Sequence, residues 1–501
     1  MSTYILVIDQ STTSTSAFAF SSKGDILASH SCDFPNYFPQ NGWVEHDGEE
    51  IWQSTLDACK GLIASDALTG ATCSAVGITN QRETSIIWDR LTGEPICKAI
   101  VWQDRRTAKV CEALKAAGHE AMVQKKTGLL LDPYFSATKI AWMLDHVPGA
   151  RQRAEAGDLA FGTMECFLIW RLTGGHHYSD ATNASRTSLL NIHTGQWDDD
   201  LLSIFNVPRA LLPSVVDNAF DYGGIDKNVF GIGAHIYSAI GDQQAAAFGQ
   251  KCFAMGDMKS TYGTGCFALV NTGDDIVVSE NKLLSTIAFQ IDGKKTYALE
   301  GSIFMAGAIV QWMRDNMHLF KKASDSENLA KIANPESAVL MVPAFTGLGA
   351  PYWDTDARGA LVGMTRDTGV PEIVRAGLES VAFQTGDLVE AINADMGFEM
   401  RNLRVDGGMV TNNWLVQSLS DITGLQIERG QVLETTALGA AYMAMIGANI
   451  VKSKTDLEDI GSSYDVFVPD MPADKRVAKR ALWHDAVEKI RGIGTVSSVD
   501  S

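Results

Sequence analysis

Three short stretches carry residue types that could move a phosphoryl group. In "AIGDQQAAAFG", Asp242 ends a short apolar strand pattern and opens an Ala-rich helical run. A carboxylate at such a junction suits a helix cap as well as a general base. "QRET" sets Arg82 beside Glu83 between two apolar strand patterns. On an exposed loop that pair would be solvated and of little consequence. Inside a cleft the guanidinium donates and the carboxylate accepts, a combination that fits a compound rich in hydroxyls. The third stretch, "YILVIDQSTTSTSAFAF", puts a lone acid, Asp9, before a run of hydroxyls. It reads as an edge hairpin with a Ser/Thr turn, or as a phosphate-holding turn with an acid set for a metal ion.

A second hairpin pattern, "MKSTYGTGCFALVNTG" from Met258, repeats the plan of the first: strand entry, Gly/Thr turn, apolar exit. Two such hairpins across a cleft would offer backbone N–H and side-chain O–H groups to a polyanion. "LRVDGGMVTNNWLVQSLSDITG" from Leu403 adds a strand, a Gly407-Gly408 turn and a helix opened by Thr411 or Asn412. A glycine pair there lets the backbone approach a ligand closely.

These stretches need elements to hold them. Strand and helix patterns alternate: "YILVID", "DILASHSCDF", a helix at "DGEEIWQSTLDACKGLIA" with Asp47 as cap and Glu50 in capping-box position, strands at "AVGITN" and "TSIIWD", and helices at "RRTAKVCEALKAAG" and "SATKIAWMLDHV". The mixture is α/β. The chain has 501 residues, too many for one core, and the repeated hairpin falls near its middle. A boundary near Gly249 gives halves of 1–249 and 250–501, with a cleft between them as the ligand site. "ALGAAYMAMIGANIV", Ala437 to Val451, is too short for a bilayer span and reads as a buried helix packed closely on a neighbour.

The formal net charge is −19, which disfavours nucleic-acid and anionic-membrane partners. The eight cysteines show no C-x-x-C spacing, so reduced thiols in a cytoplasmic protein are expected, and no secretory signal is apparent. "WDDDLL" at Trp197 reads as a helix start, and "GGHHYSD", with His176 and His177, as a hairpin turn; neither calls for a metal.

"DQSTTS", "GITNQRET", "VWQDRR", "DPYFSATKIAWMLDH", "DATNASRT", "GDQQAAAFG", "TYGTGCF", "FMAGAIVQW", "VPAFTGLGAPYWD" and "RVDGGMVTNN", in this order, resemble the FGGY family of carbohydrate kinases from about residue 4 to about residue 450. The resemblance implies two actin-like (ribonuclease H-like) ATPase domains facing across a cleft, the first binding the polyol and the second the nucleotide. It implies transfer of the γ-phosphate of ATP, with Mg²⁺, to a terminal hydroxyl of glycerol, with erythritol or xylulose as the alternative acceptor within the family. Asp242 would then be the general base, and Arg82, Glu83, Trp102, Tyr134, Gln243 and Phe267 would surround the polyol with it. Asp9 would reach Mg²⁺, Thr12, Thr13, Ser14 and Thr264 the phosphates, and Gly307, Gln311, Gly408 and Asn412 the ribose and adenine. A homodimer or homotetramer is expected by the same resemblance. A nucleotide-driven binding protein remains the reading from another class, since fold does not fix function.

The chain departs from that pattern in places. Ser11 stands where glycine is usual, which would cost strain if the turn needs positive φ. Ser16 stands where an arginine near the phosphates is usual, and Asp104 where a small or apolar residue is. The loop that binds a phosphosugar inhibitor in some members has no counterpart, and Val229 falls at about the place of their phosphorylated histidine.

Overall fold

Runs of Val, Ile, Leu and Ala build two sheets, each buried at its centre. The computed structural model describes residues 3–354, 356–458, 460 and 463–491. The first sheet contains β1 (Thr3–Gln10), β2 (Ser14–Phe20), β3 (Ile26–Asp33), β4 (Thr72–Asn80), β5 (Ala219–Gly224) and β6 (His235–Gly241), in the spatial order β5-β6-β4-β1-β2-β3. The second contains β7 (Met258–Tyr262), β8 (Cys266–Gly273), β9 (Leu284–Ile291), β10 (Lys294–Ile303), β11 (Asn402–Asp406), β12 (Gln426–Gly430) and β13 (Tyr464–Phe467), in the order β9-β10-β8-β7-β11-β12-β13.

The two sheets share one plan. β1, β2 and β3 form an antiparallel meander, then β4 and β6 run parallel to β1 and β5 closes the edge antiparallel. β7, β8 and β10 repeat the meander, β11 and β12 repeat the parallel pair, and β13 repeats the antiparallel edge. β9 is the second sheet's addition. The hairpin repeat legible in the sequence is thus one corner of a duplicated sheet. β1 is buried on both faces, as parallel pairing demands, and this explains why "YILVI" reads as a continuous apolar run.

The halves meet at two helices. Asp242–Gly249 follows β6, and Thr435–Gly447, from the second half, packs back onto β1, β4 and β6 of the first sheet. Glycine sets their spacing: a Cβ on Gly439 would stand 1.8 Å from the Ala245 carbonyl oxygen, and one on Gly249 would stand 2.1 Å from that of Thr435. The apolar run at Ala437 is therefore a buried helix held close to a neighbour. No helix among the described residues is long and apolar enough to cross a membrane.

Local readings were altered in two places. Asp47 caps the Gly48–Ile63 helix by accepting from Glu49 N, but Glu50 accepts from Tyr37 Oη at 2.7 Å instead of closing a capping box. "GGHHYSD" is a helix end followed by a strand, with Gly174 as the left-handed cap of Met164–Thr173, so it is not a hairpin. At "WDDDLL", Asp198 caps the Asp199–Phe205 helix as its sequence suggests.

Candidate active site

Three neighbouring parallel strands deliver the candidate residues at their carboxyl ends, where open α/β sheets place ligands. Asp9 lies at the end of β1, Gln81, Arg82 and Glu83 follow β4, and Asp242 follows β6. Asp242 begins a helix whose N-cap is Gly241, so it does not cap the helix; its Oδ1 accepts from Gln243 N at 2.7 Å. The same oxygen forms an ion pair with Arg82, 3.1 Å from its Nε, and the side chain stays partly exposed to the cleft.

Glu83 turns the chain. Its φ is 60°, and Thr84 N donates to Arg82 O across it at 2.7 Å, a γ-turn that costs backbone strain. Buried donors hold that turn: Ser136 Oγ reaches the Glu83 carbonyl at 3.0 Å, and Lys139 Nζ reaches it at 3.4 Å and the Tyr134 carbonyl at 2.5 Å. Burial lowers the Lys139 ammonium to about 8 against the pull of Glu83 and its neighbours.

Arg82 and Glu83 do not pair with each other. Arg82 Nη1 and Nη2 donate to Glu300 of β10 at 2.5 and 3.2 Å, and Nη1 also reaches Gln244 Oε1 at 3.2 Å. Glu83 Oε1 instead accepts from Arg186 Nε at 2.6 Å, and Arg186 Nη2 reaches Glu300 Oε1 at 2.8 Å. All four side chains are buried. Burial alone would raise the Glu300 carboxyl, but the Arg186 and Arg82 guanidiniums outweigh it and hold it at about 2. For Glu83 burial wins over the same two arginines, and its carboxyl lies above the ordinary value.

Aromatic rings stand beside this network. Trp102 meets Tyr134 edge-on at 5.7 Å between ring centroids and Phe267, from β8 of the second half, at 6.3 Å. Trp102 Nε1 donates to Thr12 Oγ1 at 3.1 Å, tying these rings to the first hairpin. Gln243 Oε1 accepts from the buried Lys259 Nζ at 2.6 Å, which fixes its carboxamide and leaves the NH₂ as the free end.

The first hairpin turn closes with Ser11 N and Ser11 Oγ donating to Ser14 O at 2.9 and 2.8 Å. Ser11 is not in the left-handed region, so the expected strain is absent and its hydroxyl braces the turn. Asp9 is half-buried, and no hydrogen bond or ion pair reaches its carboxylate among the described residues. Burial, then the charges of Asp242 and Glu434, raise it to about 7. A carboxylate without a partner among the described residues, in the field of two others, fits a divalent cation.

The second hairpin is tied to the helix beside it: Ala306 N and Ala308 N donate to Thr264 O at 3.1 and 3.0 Å, and Gly307 N donates to Gly263 O at 2.8 Å. A Cβ on Gly307 would stand 2.5 Å from that Gly263 oxygen. Gln311 lies one turn along the Gly307–Asp315 helix and is exposed. The two glycines of "DGG" have different jobs. Gly407, at φ 91°, has the Tyr262 carbonyl 2.5 Å from where a Cβ would be, whereas Gly408 has open space there and is exposed. Asn412 caps Asn413–Thr423 by accepting from Leu415 N at 3.0 Å, so only its NH₂ faces outward bonding.

Asp104 is not in the pocket. Its buried carboxylate accepts from Val44 N at 2.6 Å and from Arg106, so this departure is a structural ion pair. Glu300, Arg186, Lys259 and Lys139 went unassigned in the sequence. Their signal was a lone charge within an apolar or small-residue run, as in "YALEGSIF", since such residues are rarely buried unless paired.

Models of the FGGY family of carbohydrate kinases match the chain with their N-terminal domain over residues 4–249 and their C-terminal domain over residues 258–448. Glycerol kinase 1 of Pseudomonas aeruginosa is 55% identical over 495 residues, covering 98% of this chain and 99% of that one. The glycerol kinase of Ectopseudomonas mendocina is 55% identical over 498 residues, 99% and 100% of the two chains. Among solved structures, Plasmodium falciparum glycerol kinase with ADP superposes with a TM-score of 0.92 at 38% identity, over 98% of each chain. A gluconate kinase from Lactobacillus acidophilus gives 0.87 at 22% identity, a likeness of fold.

Proposed function

The chain belongs to the FGGY family of carbohydrate kinases, and from that premise we propose that it transfers the γ-phosphate of ATP to a terminal hydroxyl of glycerol, giving sn-glycerol 3-phosphate and ADP. The observation that carries the reading is the partly exposed Asp242 carboxylate, held at 3.1 Å by buried Arg82 beside the Glu83 turn. Asp242 takes the proton from the attacking hydroxyl as that oxygen closes on the γ-phosphorus. Arg82 Nε fixes the carboxylate's orientation, and the Glu83 oxygen that Arg186 leaves open accepts from a second hydroxyl. The Gln243 NH₂ supplies a donor, and Trp102, Tyr134 and Phe267 cover the C–H face and keep water out.

The nucleotide is assigned to Thr12, Thr13, Ser14, Thr264, Gly307, Gln311, Gly408 and Asn412. Asp9 would hold Mg²⁺, which when bound shields the phosphate charge. The polyol falls mainly to the half 1–249 and the nucleotide to 250–501. A cytoplasmic homodimer or homotetramer completes the proposal, to be checked by light scattering.

Asp104, one of the departures from the family pattern, is paired with Arg106 outside the pocket and lends a longer polyol or a ketose nothing. ADP release is measured with glycerol, erythritol, xylulose, ribulose and gluconate in turn. Stimulation by glycerol alone is expected; equal basal release with all five would overturn the kinase reading.

A further inference from the structure

Glu300, like Lys259, reaches the site from the other half of the molecule. β10 carries it opposite Leu269 of β8, in a strand otherwise apolar or small at that depth. From there one carboxylate serves two arginines of the first half. Oε2 takes Arg82 Nη1 at 2.5 Å, while Oε1 takes Arg82 Nη2 at 3.2 Å and Arg186 Nη2 at 2.8 Å. Each arginine then orients one group of the polyol pocket. Arg82 Nε holds Asp242 at 3.1 Å, and Arg186 Nε holds Glu83 at 2.6 Å. The result is an unbroken chain, Asp242–Arg82–Glu300–Arg186–Glu83, buried from Arg82 to Glu83, with both pocket carboxylates at its ends.

A guanidinium is planar, so a carboxylate on its Nη edge fixes the direction of its remaining N–H groups. With Glu300 in place, Arg82 turns Nε toward Asp242 and Arg186 turns Nε toward Glu83. Without that anchor each would have to find another partner in a buried setting, where an unpaired charge is costly, and its Nε would be free to turn away. Tyr134 and Phe135 lie against Arg186, with ring centroids 5.6 and 5.3 Å from its guanidinium carbon, and offer stacking but no acceptor for a fixed orientation.

We propose that Glu300 is a positioning residue for the polyol: by clamping Arg82 and Arg186 together it sets Asp242 and Glu83 at the separation a small triol needs, and so lets the nucleotide-side half govern how well the other half binds its acceptor. The inference rests on the reading of the site as a polyol kinase.

The test is Glu300→Gln, which keeps the shape and removes the charge, assayed for turnover and for the KM of each substrate, with glycerol binding followed by calorimetry. The expected result is a glycerol KM raised about 10- to 100-fold, as loss of a charged hydrogen-bond anchor implies, with the ATP KM within about twofold of the parent. Glu300→Asp draws the carboxylate back and should raise the glycerol KM by a smaller factor, a graded response that a purely structural role does not produce. A folded Glu300→Gln protein with lowered melting temperature and unchanged glycerol KM would overturn the proposal. If that variant does not fold, Glu300→Asp and Arg186→Lys decide, and parent-like glycerol binding in both overturns it equally. The parent is measured alongside. A parent indifferent to glycerol sinks the kinase reading, whereas a responsive parent with unaffected variants sinks the role of Glu300 alone.

Discussion

The two ends of the cleft are built on opposite principles. At the end proposed for the polyol Arg82, Glu83, Arg186 and Glu300 are buried and linked by hydrogen bonds, and a strained γ-turn is held by buried donors. At the end proposed for the nucleotide Thr13, Thr264, Gln311 and Gly408 are exposed, and the shape comes from glycine and backbone carbonyls. A small neutral triol brings no charge with which to order its site, so the protein must fix every donor and acceptor beforehand. A nucleotide carries several charges and can order a looser site around itself. Damage at the first end should therefore fall on chemistry and acceptor binding, and damage at the second on ATP binding.

The largest effect belongs to Asp242→Asn. It keeps an acceptor for Arg82 Nε but removes the base, and turnover should fall about 10²- to 10⁴-fold, roughly 3 to 5 kcal/mol in the barrier, with the melting temperature little changed. Near-normal turnover in the purified variant would mean that the hydroxyl proton goes elsewhere. At the other end, Gly307→Ala forces a methyl against the Gly263 carbonyl and pushes the hairpin from the helix. The ATP KM should rise about 10-fold or more while the glycerol KM stays within about twofold. Equal rises in both would erase the division between the ends.

The contrast also explains what the sequence made legible. Asp9, Asp242 and the two hairpins stand out because strand ends, turns and glycines have local signatures, and the alternation of apolar runs disclosed the α/β fold and its internal repeat. The roles of Glu300 and Lys259 were not legible, although a lone charge in such a run hints at burial. Each sits mid-strand, and its meaning depends on partners far away in sequence: Arg82 is brought to Glu300 by the junction of the halves, and Gln243 to Lys259 by the Asp242–Gly249 helix. Ser11 and Asp104 looked anomalous because only a backbone angle and a buried arginine reveal that neither disturbs the site.

His46 joins the two ends and gives a test by pH. Gln81, next to Arg82, donates to Gln10 Oε1 at 3.1 Å and Ser11 O at 3.0 Å, with His46 Nδ1 3.4 Å behind it and Asn36 Oδ1 2.6 Å from the His46 Nε2. Burial lowers this imidazole to about 4. Its folded value is below its unfolded one, so the unfolded chain takes up a proton first, and stability drains away as pH falls from about 6.5 to about 4. The share from this one group is about 2 kcal/mol, read as a falling urea midpoint between pH 7 and pH 4.5. His46→Gln should make that decline shallower, and an unchanged slope would show that the imidazole does not titrate with unfolding.

The smallest expected effect sharpens the nucleotide end. Ser16 lies opposite Asp9 in the β1–β2 register, on the same face, and among the described residues its hydroxyl meets only Ser31 Oγ, at 2.6 Å. Ser16→Arg would bring a guanidinium to the side of the turn where Asp9, with its raised carboxyl, has no cation of its own. A partly exposed charge contact is worth at most about 1 kcal/mol, so the ATP KM should drop about two- to fivefold with the glycerol KM unchanged. No change would mean that positive charge is already supplied from elsewhere in the cleft. A higher ATP KM relieved by added Mg²⁺ would mean that the new side chain has paired with Asp9 and competes with the metal, which would place Asp9 at the metal by another route.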